Sequence, residues 1–190
     1  MKRIIAGLGV AAALTCATLS PTQAQTTIGV SYQPSLYWAL PFHYATVKGW
    51  WKDVGLAPNF STFPAGAPQI AASAAKSWDV GGTGSVPAVL GAVRFNILTI
   101  GITNDESKTN AMMVRGDKFD AIKADPKLLK GQKLLLTTNS TVDYAARKCL
   151  TKFGLQNNDM QFVNLGQAQI ITAITSNNGD VAGVWAPNTY

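Results

Sequence analysis

Histidine and cysteine are almost missing from this 190-residue chain: His43 stands alone, and Cys16 and Cys149 are the whole cysteine complement. Residues so few and so far apart do not supply the clustered ligands of a zinc site, so no metal is expected, and no organic cofactor either. Phosphate-cradling motifs are missing too, since Gly81-Gly82-Thr83-Gly84 lacks the lysine and the spacing of a P-loop or a dinucleotide fingerprint. Charge is sparse, with 14% charged residues and a formal net charge of +6. Lys123, Lys127, Lys130 and Lys133 gather near one short predicted helix without arginine or aromatic interleaving. That pattern reads as a solvated face and not as a nucleic-acid surface, although a mild positive field favours anionic solutes. A chain that is 47% hydrophobic is globular and not disordered.

Long apolar runs are absent except at the amino terminus. Met1-Lys2-Arg3 is basic, Ile4 to Leu19 is apolar or small, and Pro21-Thr22-Gln23-Ala24 ends in small residues, the pattern of a cleavable signal peptide over residues 1–24. The run is shorter than the roughly 20 residues a membrane span requires. The mature chain is therefore expected to be exported and soluble. Ala13-Leu14-Thr15 ahead of Cys16 is a poor lipoprotein signal, so no lipid anchor is expected. Processing leaves Cys149 alone, which excludes an internal disulfide and gives the whole task of stability to the core.

One pattern occurs twice. Trp78-Asp79-Val80-Gly81-Gly82-Thr83-Gly84-Ser85-Val86-Pro87 and Gly179-Asp180-Val181-Ala182-Gly183-Val184-Trp185-Ala186-Pro187 each follow an Ala/Ile-rich helical stretch. Each runs from Asp-Val into a short strand and ends in a loop with proline, as two similar α/β lobes would. Ile28 to Tyr32 alternates as a first strand. A helix is predicted from near Pro41 to the region of Gly49 to Gly55. Phe60 to Phe63 and Val80 onward read as strands, Ser85 as the N-cap of a helix over 86–93, and Ile97 to Ile102 as a fourth strand. The polar, turn-prone stretch from Asn104 to Asn110 crosses to the second half, giving lobe 1 over residues 25–109 and lobe 2 over residues 110–190. There Leu134 to Thr137, Phe162-Val163 and Val181 to Val184 are predicted strands. A helix burying Tyr144, Ala145, Cys149 and Leu150 follows Thr141, and another covers Ala168 to Ile174. Alternating strands and helices imply mostly parallel sheets.

Hydroxyls and free amides collect at two predicted helix starts, Thr83-Gly84-Ser85 and Asn139-Ser140-Thr141, which are natural anion sites. Ordinary capping by Ser and Thr explains either loop taken singly. Their matching places in two lobes point to one cleft at the carboxyl ends of the strands, gripping a small anionic or polar solute from both sides. Tyr32, Trp38 and Trp185 stand at or just after strand ends, where they would cover its apolar part. Trp50, Trp51 and Trp78 read as packing. Catalytic groups are not evident: His43 lies on a predicted helix, Cys149 reads as a helix-interior hydrophobe, and Asp79 and Asp180 brace turns. Arg94, Arg115 and Arg147 fall outside the cleft loops, which argues against a strongly charged dianion.

Several stretches carry a family likeness. They are Ile28 to Gln33, Lys48-Gly49-Trp50-Trp51-Lys52-Asp53-Val54-Gly55-Leu56, Phe63 to Gly66, Ala74 to Gly84, Leu128-Leu129-Lys130-Gly131-Gln132-Lys133 and Gly179 to Pro187. In that order the chain resembles the periplasmic substrate-binding proteins of ABC importers for nitrate, sulfonates and taurine, which share their domain with thiamine-pyrimidine precursor proteins. The resemblance implies a type II periplasmic binding fold: two α/β lobes around a hinge that close on a solute and present it to a permease in the inner membrane. It implies a monomer that is not an enzyme, with a cleft lined by Tyr32, Gln33, Gly66, Thr83, Ser85, Asn104, Asn139, Ser140, Thr141 and Trp185. Members of the family continue past the region of Gly179 to Pro187 and cross back to the first lobe, so a second lobe and return crossover that are incomplete are expected here, with weakened stability and transport function. Two alternatives share the fold. One is an enzyme like a sulfinate desulfinase or a thiamine-pyrimidine synthase, which would need Cys149 or His43 in a reactive setting; the other is a solute-sensing domain.

Overall fold

A computed structural model describes residues 24–190; the expected signal peptide falls, but for Ala24, outside the described residues. The first sheet holds β1 (Thr26–Tyr32), β2 (Leu56–Thr62) and β3 (Val80–Gly82) in the order β2-β1-β3, all parallel. Between them run α1 (Leu36–Val47), the short α2 (Trp50–Asp53) and α3 (Gly66–Ala72), and α4 (Ser85–Phe95) follows. The second sheet holds β4 (Asn110–Val114), β5 (Lys133–Leu136), β6 (Gln161–Asn164) and β7 (Val181–Trp185), ordered β4-β7-β5-β6. Its helices are α5 (Gly116–Ala124), α6 (Thr141–Lys152) and α7 (Gln167–Thr175). β4 is antiparallel to β7 and the other pairs are parallel. Parallel strands need helical crossovers, which is why apolar strands alternate with helices along the chain.

The core of the second sheet is continuous. Every residue of β7 is buried, as befits a central strand covered on both faces. Leu134 and Leu136 of β5 join Leu129, Ala146, Leu150 and Val181 on one face, while Leu135, Ile170, Ala182 and Val184 form the other. Burying each such side chain contributes roughly 1.5–3 kcal/mol.

Several expectations need correction. The segment from Ile97 to Ile102 is not a strand. Asn96 ends α4 in the left-handed conformation (φ 54°), and the Ile97 N–H folds back to donate to the Gly91 carbonyl. Beyond it Leu98, Ile100 and Ile102 are 82%, 84% and 92% exposed, because no described strand pairs with them despite their β-like alternation. α1 begins at Leu36 and carries Pro41 inside it. Proline costs the helix the N–H of its own position; the tertiary packing of Trp38 outweighs that local preference. α5 was not foreseen, because Gly116 opens it and its sequence is polar. On α6 the buried face is Val142, Asp143, Ala146 and Leu150, and Tyr144 is exposed, so the apolar stripe is rotated from the one expected. Ser85 is the first helical residue of α4, with Gly84 at the N-cap, so its hydroxyl makes no cap.

Candidate functional site

The two repeated strand ends are built alike. Buried Gln69 of α3 donates its amide to the Gly82 carbonyl at the end of β3 (3.2 Å) and to the Ser31 hydroxyl (2.8 Å). Buried Gln167 of α7 donates to the Gly183 carbonyl in β7 (3.3 Å) and lies 3.5 Å from the Thr137 hydroxyl. Gly82 and Gly183 hold the same place in the repeat. Satisfying carbonyls inside a low-dielectric core fixes where each loop leaves its sheet.

Those loops meet. The Ser85 and Thr141 hydroxyls, at the first residues of α4 and α6, are 3.4 Å apart, and the Val86 N–H points at the Thr141 hydroxyl (3.5 Å). Trp38 and Trp185 close one side edge-to-face with ring centroids 5.9 Å apart, over Val142. Such a pair adds roughly 0.5–1.5 kcal/mol beyond its buried area. Ser35, at the start of α1, donates its hydroxyl across the seam to the Ala186 carbonyl (3.0 Å).

Glu106, on the segment joining the lobes, reaches into this seam. Its Oε2 accepts from the Ser85 N–H (2.8 Å) and from the Thr141 hydroxyl (3.2 Å). It thus places a negative charge at the amino end of α4, where free N–H groups and the helix dipole favour one. A Cβ at position 84 would lie 2.6 Å from the Thr141 hydroxyl, 3.2 Å from Glu106 Oε1 and 3.4 Å from Cζ2 of Trp38, so only glycine lets these groups converge. Glu106 Oε1, Trp38 Nε1 and the Tyr37 hydroxyl are buried without a hydrogen-bond partner, and no other described side-chain atom shares that condition. The Tyr37 hydroxyl is pushed up to about 12 by burial first and by the Glu106 charge, against the Ser35 and Thr109 hydroxyls.

The expected site residues divide between the seam and the lobes behind it. Trp38, Ser85, Thr141 and Trp185 come together as described. Thr83 accepts from the Gln33 amide (2.8 Å), and Gln33 also donates to Gln69, so both belong to a buried network just behind the seam. Gly66 lets the start of α3 approach α4, since a Cβ there would lie 2.2 Å from Cγ of Pro87. Ser140 caps α6, accepting from the Asp143 N–H (3.2 Å) and donating to the Thr137 carbonyl (2.6 Å). Asn139 adopts φ 58° and donates its N–H to Asp143 (3.0 Å). Asn104 accepts from Thr103 (3.0 Å) on the connecting segment. Tyr32 packs its ring near Phe42 and Phe60, within the first lobe. Tyr37, Gln69, Glu106 and Gln167 were missed. A glutamate in a polar connecting stretch carries no local signature; the glutamines show only as polar interruptions on apolar helices.

Other groups stand apart. His43 is exposed on α1. Cys149 lies half-buried on the far half of α6, and burial pushes its thiol up, away from thiolate reactivity. A hollow of about 400 Å³, lined by Gly131, Lys133, Gln161 and Asn177 to Asp180 among others, lies at the amino ends of β5, β6 and β7, opposite the seam. Asp79 accepts from the Gly29 N–H (2.7 Å), and Asp180 pairs with Lys118 (2.7 Å), so both brace their turns.

With this geometry fixed, likeness to known proteins is informative. Residues 38–189 match the family described as NMT1/THI5 like. The chain belongs to that family. A protein of Brucella abortus named as a binding protein is 29% identical over 147 residues, which are 75% of this chain and 43% of that protein. The alkanesulfonate-binding protein of Xanthomonas axonopodis pv. citri, solved bound to MOPS, superposes with a TM-score of 0.71 at 21% identity, covering 85% of this chain and 55% of that one. The periplasmic nitrate-binding protein of Synechocystis gives a TM-score of 0.62 at 16% identity, covering 86% and 47%. The chain thus spans about half the length of these relatives, and the α/β fold of the NMT1/THI5-like family is the fold seen here.

Proposed function

We propose that this NMT1/THI5-like chain is the extracytoplasmic solute-binding component of an ABC importer. It binds a small polar or anionic solute of the nitrate, sulfonate or taurine class between its two lobes. The observation that carries the reading is the meeting of two helix amino ends at one seam, with Ser85 and Thr141 3.4 Å apart. Two positive dipole ends and the hydroxyls of Ser85 and Thr141, walled by Trp38 and Trp185, form a place that grips a polar group from both sides. The names of the relatives in Brucella, Xanthomonas and Synechocystis support binding and not catalysis. In this reading the chain is made with a signal peptide over residues 1–24, acts as a monomer in the periplasm and hands its solute to a membrane permease. Closure selects among lobe arrangements and needs no covalent step.

Thermal melting of the chain with nitrate, alkanesulfonates, taurine and other small zwitterions tests it. A ligand at 100 times its Kd adds about 2.7 kcal/mol of stability, which raises the melting temperature measurably. Ser85→Ala with Thr141→Ala should abolish that rise. A chain whose melting point responds to no member of the series is not a binding protein for this class.

A further inference from the structure

The three buried atoms at the seam that lack partners are two donors and one acceptor: the Trp38 indole N–H, the Tyr37 hydroxyl and Glu106 Oε1. Trp38 is 4% exposed, and the edge of its indole beside Nε1 faces the same point above Gly84 as Glu106 Oε1. Capping of α4 accounts for Oε2 of Glu106 and leaves Oε1 unexplained. An unpaired carboxylate oxygen is costly to bury, and so is an unpaired indole N–H. A simple anion accepts from the indole N–H but leaves Glu106 Oε1 unmet, and the protein's own carboxylate, standing at the amino end of α4, repels it.

From this, and resting on the binding reading above, we propose that Glu106 makes the seam selective for a zwitterion. The ammonium of the solute donates to Glu106 Oε1 while its oxyanion accepts from the Trp38 N–H and the Tyr37 hydroxyl. Tyr37, Trp38 and Trp185 lie together at the seam, with ring centroids 4.4 Å apart for Tyr37 and Trp38, and wall the place where the two charges are received. Glu106 is then a specificity-determining residue: nitrate and unsubstituted alkanesulfonates meet a like charge, whereas an amino acid or aminosulfonate meets a complement.

Titration calorimetry on the full chain with three kinds of probe decides the matter. Taurine, glycine and β-alanine carry both charges, ethanesulfonate and nitrate only the negative one, and ethylamine only the positive one. At least one zwitterion is expected to bind tenfold or more tightly than ethanesulfonate and ethylamine. Glu106→Gln should erase the advantage over ethanesulfonate, and Glu106→Asp, which keeps the charge if the first variant folds poorly, should retain it in part. Ethanesulfonate or nitrate binding as tightly as every zwitterion overturns the selectivity and leaves the binding function standing. Silence from all probes overturns both.

Discussion

The two lobes share a plan and differ in cover. In the second, β7 is buried along its whole length and leucines fill both faces of β5. In the first, Val30, Trp38, Ala65 and Ile70 are the buried hydrophobics among the described residues, and Trp38 belongs to the seam. Leu36, Leu40, Val89, Val93 and the run Leu98, Ile100 and Ile102 lie open. Yet both lobes hold a carbonyl of their repeated strand by a buried glutamine on the preceding helix. The geometry of the loops is therefore set by a few polar contacts, and the depth of the core is set separately.

The largest effect expected from this contrast is in the second core. Leu134→Ala removes a fully buried side chain and should cost about 2–5 kcal/mol in urea denaturation, with Ile70→Ala in the first lobe at the low end of that span, where neighbouring open surface lets the site collapse. Equal costs would remove any energetic weight from the difference in cover. Next come the matched glutamines. Gln69→Ala and Gln167→Ala each take a buried amide donor from a strand carbonyl, for about 1–3 kcal/mol apiece, and a large inequality between them would break the claimed equivalence of the two repeated strands. Ile100→Ser should change stability by no more than about 0.5 kcal/mol while reducing binding of a hydrophobic dye, since that side chain covers nothing. The smallest effect is confined to alkaline solution. Tyr37 keeps its proton in the folded chain up to about 12, whereas an unfolded tyrosine releases it near 10.0. The folded state then binds more protons between those values, so stability is fully present below pH 10 and falls as pH rises toward 12. Tyr37→Phe should flatten that decline, as read by denaturant melts across the range.

The sequence made the two-lobed plan legible because the repeat at Asp79 and Asp180 marks strands, and strands that alternate with helices have few ways to arrange themselves. Ser85 and Trp185 were legible for the same reason, since they stand at the ends of the repeated strands β3 and β7, and Trp38 and Thr141 because each comes just after another predicted strand. Ile97 to Ile102 misled because alternation records a preference and not the presence of a neighbour to pair with. Pro41 misled because a favoured first-turn residue is tolerated inside a helix when packing decides. Glu106 was illegible: its partners, the Ser85 N–H and the Thr141 hydroxyl, are 21 and 35 residues away, and no local spacing encodes so distant a contact.

Residues 96–109 are at once the tether between the halves and the bearer of Glu106, so the carboxylate cannot stay on both helices if the halves part. Drawing the mouth open pulls it off Ser85 or off Thr141, so the strap acts as a latch whose release accompanies any parting of the halves.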